Sequence, residues 1–205
     1  VYKVKQTALF QVIYNFLSRK WYFDRIYNEF VSQSVLSYGL YVPRRRLQRS
    51  SIYEANSWYA PGLGGLANGE KAISNWDEDS VTMAVEAGRY CLDGIDRTLI
   101  ESVSLASTTL PFADRSNAGI AKEALNLSDN VMSADQTGSL RAATSSLMQS
   151  LQNDSTDLCL AADRRKSKVA SIQEMSYGDA SAAFLTGWRR YCKLPWRILQ
   201  HDRLR

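Results

Sequence analysis

Val131-Met132-Ser133-Ala134-Asp135-Gln136-Thr137-Gly138-Ser139-Leu140-Arg141-Ala142-Ala143-Thr144 reads as a strand running straight into a helix. Val131 to Ala134 supplies the strand. Leu140, Ala143, Thr144, Leu147, Met148 and Leu151 then supply the clearest helical stripe in the chain. An α/β enzyme often places its nucleophile at such a turn, because a helix N-terminus stabilises developing negative charge. This turn has no cysteine, and the single histidine, His201, is remote in sequence. Ser139 is its most interesting hydroxyl. A serine nucleophile needs a base to take its proton, and none is visible, so an N-cap or first-turn role is the favoured reading.

Working outward, the same alternation recurs. Asp77, Glu78 and Asp79 precede an apolar face of Val81, Ala84, Val85, Gly88, Cys91 and Leu92, as an acidic helix start should. Ile100 to Leu110 reads as a strand with Val103 and Leu105 on one face. Asn117 to Leu125 reads as a short helix with Ser116 as its N-cap. Asp157 to Ala162 is almost uniformly apolar, like a buried parallel strand. Ser181 to Thr186 is a further strand. Strands alternating with helices predict an α/β fold with a largely parallel sheet. Asp135 and Asp163 fall at strand ends, where open α/β sheets bind ligands and where aspartates also cap loops.

Bulk properties narrow the function. The chain has 205 residues, enough for one domain with or without an appendage, and is 45% hydrophobic and 22% charged. Its net charge of +4 lies in patches: Arg44, Arg45, Arg46 and Arg49; Arg164, Arg165, Lys166 and Lys168; Arg189 and Arg190. Such patches fit phosphates, including those of a nucleotide cofactor, or simply solvated loops. Three widely spaced cysteines and one histidine argue against a disulfide framework, a zinc site or a Cys-His or Ser-His-Asp triad. No metal is expected, and a reducing, cytoplasmic setting fits best. No run of roughly 18 apolar residues exists, so no complete membrane-spanning helix is expected. A first residue of Val rather than Met suggests a start inside a larger reading frame.

Three textures divide the chain. Residues 1–36 are aromatic-rich, with Leu9, Ile13, Phe16 and Leu17 at helical spacing and a second helix predicted from Phe23 to Leu36. Residues 37–187 form the α/β region. Residues 188–205 are basic and aromatic, interrupted by Pro195, and read as a poorly ordered terminus rather than a nucleic-acid site. Gly62-Leu63-Gly64-Gly65-Leu66-Ala67 spells G-x-G-x-x-A, but Trp58-Tyr59-Ala60-Pro61 is poor strand context, so a loop is expected there.

The middle region resembles the hydroxymethylglutaryl-CoA synthase-like branch of the thiolase superfamily. The carriers are Ser37-Tyr38-Gly39-Leu40-Tyr41-Val42-Pro43-Arg44, Trp76 to Ala87, Ala106-Ser107-Thr108-Thr109-Leu110-Pro111 and Tyr177-Gly178-Asp179-Ala180-Ser181-Ala182-Ala183, in family order. The resemblance implies the N-terminal half of a thiolase-like layered fold, dimerising through that half, and a partner bearing an OB-fold and a zinc ribbon. It also implies a cysteine nucleophile, a glutamate acid/base and a histidine from the second half, transferring acetyl from acetyl-CoA through a thioester. Aligned on the motifs, the cysteine position falls on Leu140 and the glutamate position on Thr108. Leucine cannot form a thioester, and threonine cannot shuttle protons like a carboxylate. Ser139 is one residue away, about 100° around a helix axis. Arg44, Arg45, Arg164, Arg165 and Lys166 are the expected contacts for CoA phosphates.

Asn15 to Phe30 separately resembles a late segment of the mitochondrial complex I membrane subunit 5, which would make the chain a fusion joined near Ser37. The expectation is therefore an acyl-CoA-binding, catalytically impaired thiolase-like half with no covalently held cofactor. The alternatives are a non-catalytic homo- or hetero-dimeric partner, or a chimeric fragment. The stripe on Leu140, Ala143, Leu147 and Leu151 is expected to leave an exposed apolar patch.

Overall fold

The structure, a computed structural model, describes residues 34–188. The resemblance over Asn15 to Phe30, the tail beyond residue 188, and all but the end of the predicted Phe23 to Leu36 helix lie outside the described residues. That end, Ser34 to Leu36, is strand.

Among the described residues, seven strands and five α-helices follow one another. The strands are β1 (Ser34–Tyr41), β2 (Arg45–Gln48), β3 (Glu70–Ile73), β4 (Ser102–Ala106), β5 (Met132–Gln136), β6 (Asp157–Asp163) and β7 (Ala180–Gly187). The helices are α1 (Arg49–Asn56), α2 (Ser80–Cys91), α3 (Asn117–Ala124), α4 (Ala142–Gln152) and α5 (Ile172–Ser176). The main sheet has the order β1-β7-β6-β4-β5, and β2 and β3 form a separate antiparallel pair.

Period-two alternation sorts the sheet into two faces. Val103, Leu105, Leu158, Leu160, Ala183 and Leu185 join Met83, Ala84, Ala87 and Ala121 in one buried core. This core lies beneath α2, which covers β1, β7 and β6, and α3, which covers β4 and β5. α2 begins as its sequence predicts, with a capping box. The Asp79 carboxylate accepts from Thr82 N at 2.8 Å, and Asp79 N donates back to Thr82 Oγ1 at 2.7 Å. Ser116 caps α3 by accepting from Gly119 N at 3.0 Å.

α4 lies on the opposite face. The Ser104 and Ser146 hydroxyls meet at 2.7 Å, and Ser150 Oγ lies 2.8 Å from Cys159 Sγ. This corrects the predicted stripe in part. The fully buried residues of α4 are Ser146 and Ser150, one turn apart; Ala143, Leu147 and Leu151 of the stripe are half-buried, while Thr144, Met148 and the preceding Leu140 are exposed. The sheet surface under α4 carries small polar groups, which a helix of small polar residues complements better than leucine does.

Strand direction agrees with a largely parallel sheet, with one exception. β4 pairs in parallel with β5 and β6, but β7 is antiparallel to both β6 and β1. Four strands thus share one direction and β7 opposes them. The chain returns from β6 to β7 with only the short α5 between, rather than a full crossover helix. The G-x-G-x-x-A stretch forms a 3-10 helix over Pro61–Leu66, with no strand feeding it. Its Leu63 joins Ile52 and Met175 in a small satellite core.

Candidate functional site

The carboxyl ends of β1, β4 and β6 converge on a groove of about 360 Å³. Such strand ends are where open α/β sheets hold ligands. Leu40 and Val42 contribute from β1 and its exit, Ala106, Ser107 and Thr108 from β4, and Ala161, Ala162 and Asp163 from β6. Ala180 to Ala182 enter from β7. Ser139 and Leu140 come from the turn before α4, and Ala142 and Ala143 from its first turn. The groove therefore brings Thr108 together with the adjacent pair Ser139 and Leu140, about thirty residues further along the chain.

Asp163 organises the polar end. Its Oδ1 accepts from Thr108 N at 2.8 Å, Thr108 Oγ1 at 3.0 Å, Ser107 Oγ at 3.1 Å and Thr109 Oγ1 at 3.4 Å. Arg164 N donates to Thr109 Oγ1 at 2.9 Å, tying the two strand exits together. The Thr108 hydroxyl is thus committed to a structural contact. Sequence reasoning placed Asp163 at a strand end but missed this convergence. The signal was the hydroxyl run Ser107-Thr108-Thr109 leaving an apolar strand. Asp135 serves a different end. It accepts from Asn117 N at 2.8 Å, Ala118 N at 2.6 Å and Asn117 Nδ2 at 3.0 Å, so it anchors the start of α3.

Ser139 is not the N-cap of α4. Arg141 holds that position without a side-chain cap, and Ser139 precedes the helix in a turn. There its Oγ accepts from Arg141 N at 3.2 Å and its carbonyl accepts from Ala142 N at 3.1 Å. Gly138, at φ 90°, takes the left-handed backbone conformation that leads into this turn. Leu140 consequently sits at the groove edge, mostly exposed.

The basic candidates do not form one cluster. Arg44 lies two residues after the lining residue Val42, and Arg164 follows Asp163 directly. Arg45 donates to Asn75 Oδ1 at 3.0 Å, and the Arg165 guanidinium lies 4.5 Å from the Tyr177 ring centroid. Lys166 is exposed. Among the described residues no group of three His, Cys, Asp or Glu side chains is placed to hold a metal ion, and no helix is long and apolar enough to cross a membrane. Burial pushes the Cys91 thiol up to about 12, so it is a core residue and not a nucleophile.

The chain is 29% identical over 160 residues to the hydroxymethylglutaryl-CoA synthase of Thermococcus gammatolerans, covering 75% of this chain and 44% of that one. With the same enzyme of Methanosarcina acetivorans it shares 31% over 153 residues, covering 72% and 44%. Over that stretch the chain is a hydroxymethylglutaryl-CoA synthase homologue. It spans less than half the length of these relatives. The synthase-like fold agrees as well. PksG, an HMG-CoA synthase from Bacillus subtilis, superposes with a TM-score of 0.67 at 20% identity, covering 77% of this chain and 40% of PksG. The curacin pathway HMG synthase in complex with acetyl donor-ACP gives 0.68 at 22%, covering 77% and 41%. No family model matches the chain.

Proposed function

We propose that this synthase-like half binds an acyl-CoA thioester reversibly and does not carry the acyl group on its own side chains. The observation that carries this reading is the lining of the groove, where Leu140 and Thr108 stand at the positions that the family resemblance assigns to cysteine and glutamate. A thioester intermediate needs a thiolate, and neither leucine nor a threonine committed to Asp163 supplies its chemistry. Arg44 and Arg164, close in sequence to the lining residues Val42 and Asp163, suit the phosphates of CoA, and Lys166 is exposed. Arg45 and Arg165 are weaker candidates because each is already engaged. A reducing cytoplasmic setting is part of the same reading, supported by the free, buried Cys91 and Cys159.

Equilibrium dialysis of the full chain against labelled acetyl-CoA tests the proposal. Label that is retained but released on denaturation is the expected result. An acid-stable, hydroxylamine-labile acyl adduct at one equivalent would sink it.

A second reading is a non-catalytic partner that pairs with a second copy, an active homologue or an OB-fold and zinc-ribbon protein. The exposed Tyr38, Leu40, Leu140 and Met148 on the α4 side favour it. Light scattering after size exclusion separates the two: a monomer that binds CoA supports the first reading alone.

A further inference from the structure

We propose that the groove at the carboxyl ends of β1, β4 and β6 holds a linear, medium-length aliphatic acyl chain non-covalently, in preference to a short oxygen-rich acyl group. The proposal rests on the acyl-CoA reading only for the head group. It follows from two features of the groove.

The first is its wall. Leu40, Val42, Leu140, Ala143, Ala161 and Ala182 present hydrocarbon from four separate elements. A volume of about 360 Å³ falls in the roughly 300–1,000 Å³ range of sites for drug-sized ligands, well above what a two-carbon group fills.

The second is the accounting of side-chain donors. The Ser107 and Thr108 hydroxyls donate to Asp163, and the Ser181 hydroxyl donates to Met83 O at 2.6 Å. Ser139 Oγ accepts from Arg141 N and, among the described residues, is the one lining hydroxyl whose own proton is uncommitted. An acyl group rich in carbonyl oxygens would bury acceptors against a wall with one side-chain donor to meet them, which is unfavourable. A methylene chain makes no such demand. Each methylene removed from water is expected to tighten binding about fourfold when fully buried. The single carboxylate, Asp163, already saturated on Oδ1, closes the polar end and disfavours a second anion there.

The test is a titration series by calorimetry on the full chain, using CoA, acetyl-CoA, acetoacetyl-CoA, octanoyl-CoA and octanoyl-pantetheine. Octanoyl-CoA should bind about tenfold or more tighter than acetyl-CoA, and acetoacetyl-CoA no tighter than acetyl-CoA. Leu140→Asp and Leu40→Asp should each erase the chain-length dependence. Both side chains are mostly exposed, so neither substitution threatens folding. Equal affinity for all the CoA thioesters would overturn the proposal while leaving the CoA reading intact. Octanoyl-pantetheine binding as tightly as octanoyl-CoA would uphold the acyl site and remove the nucleotide contacts. No binding by any member overturns both. Undiminished chain-length dependence in both variants would place the chain elsewhere and overturn the assignment.

Discussion

One carboxylate oxygen, Asp163 Oδ1, fixes three consecutive residues at the exit of β4. Asp163→Ala would leave those donors without an acceptor. It should lower unfolding free energy by about 2–3 kcal/mol in urea titration, in line with hydrogen bonds to a charged acceptor. Tyr41 makes a second residue-scale case. Its hydroxyl donates to Glu78 Oε1, and this bond, with burial and the nearby negative charge, raises the phenol to about 12. The folded chain therefore keeps a proton that the unfolded chain loses near 10. The stabilisation is complete below about pH 10 and disappears as pH rises to about 12. Cys91 titrates in an overlapping window, so the comparison needs a variant. Urea midpoints of the parent and Tyr41→Phe should converge between pH 9 and pH 12; a constant gap would remove this account of the Tyr41–Glu78 bond. Leu140 and Thr108 were placed by resemblance to a family motif. Asp163's role was not legible, because it depends on the pairing of β4 with β6, which no local pattern records.

At the scale of elements, the starts of α2 and α3 were legible because their caps are local: Asp79 with Thr82, and Ser116 with Gly119. α4 was read as a helix with Ala143, Leu147 and Leu151 on its stripe, and these are half-buried; its fully buried residues, Ser146 and Ser150, were chosen by the sheet through Ser104 and Cys159. The direction of β7 was equally hidden, since alternation tells which face a residue occupies and not which way the strand runs. Buried Asp157 shows the same dependence on tertiary partners. It opens the otherwise apolar β6 and accepts from Ser102 Oγ at 2.6 Å and Asn153 Nδ2 at 3.1 Å. The contact between β1 and α2 permits a sharper prediction. A Cβ on Gly39 would lie 2.1 Å from Ala87 O and 2.5 Å from Cys91 N, and both are backbone atoms that cannot step aside. Gly39→Ala should therefore push β1 off α2 and cost about 3 kcal/mol or more in the same urea assay. A cost under roughly 1 kcal/mol would contradict the packing described.

At the scale of the molecule, the described residues close the α2–α3 face of the sheet and leave the α4 face partly exposed. Tyr38 and Leu40 on β1, and Leu140 and Met148 on or beside α4, are each between 58% and 66% exposed. Exposed apolar side chains on one face drive association. Light scattering should show a mass that rises with protein concentration, and Leu40→Asp with Met148→Lys should suppress the rise. The α/β class and the site's place at the strand ends followed from the order of elements. The open face follows from which helix covers which side, and that required the structure. The central claim is that this synthase-like groove carries no acyl-accepting side chain. Intact-mass spectrometry of the parent chain and of Leu140→Cys, each incubated with acetyl-CoA, tests it most directly. The account predicts an unmodified parent, with any acetyl adduct confined to the introduced thiol of the variant. One acetyl group on the parent, mapped to Ser139 or Thr108, would contradict it.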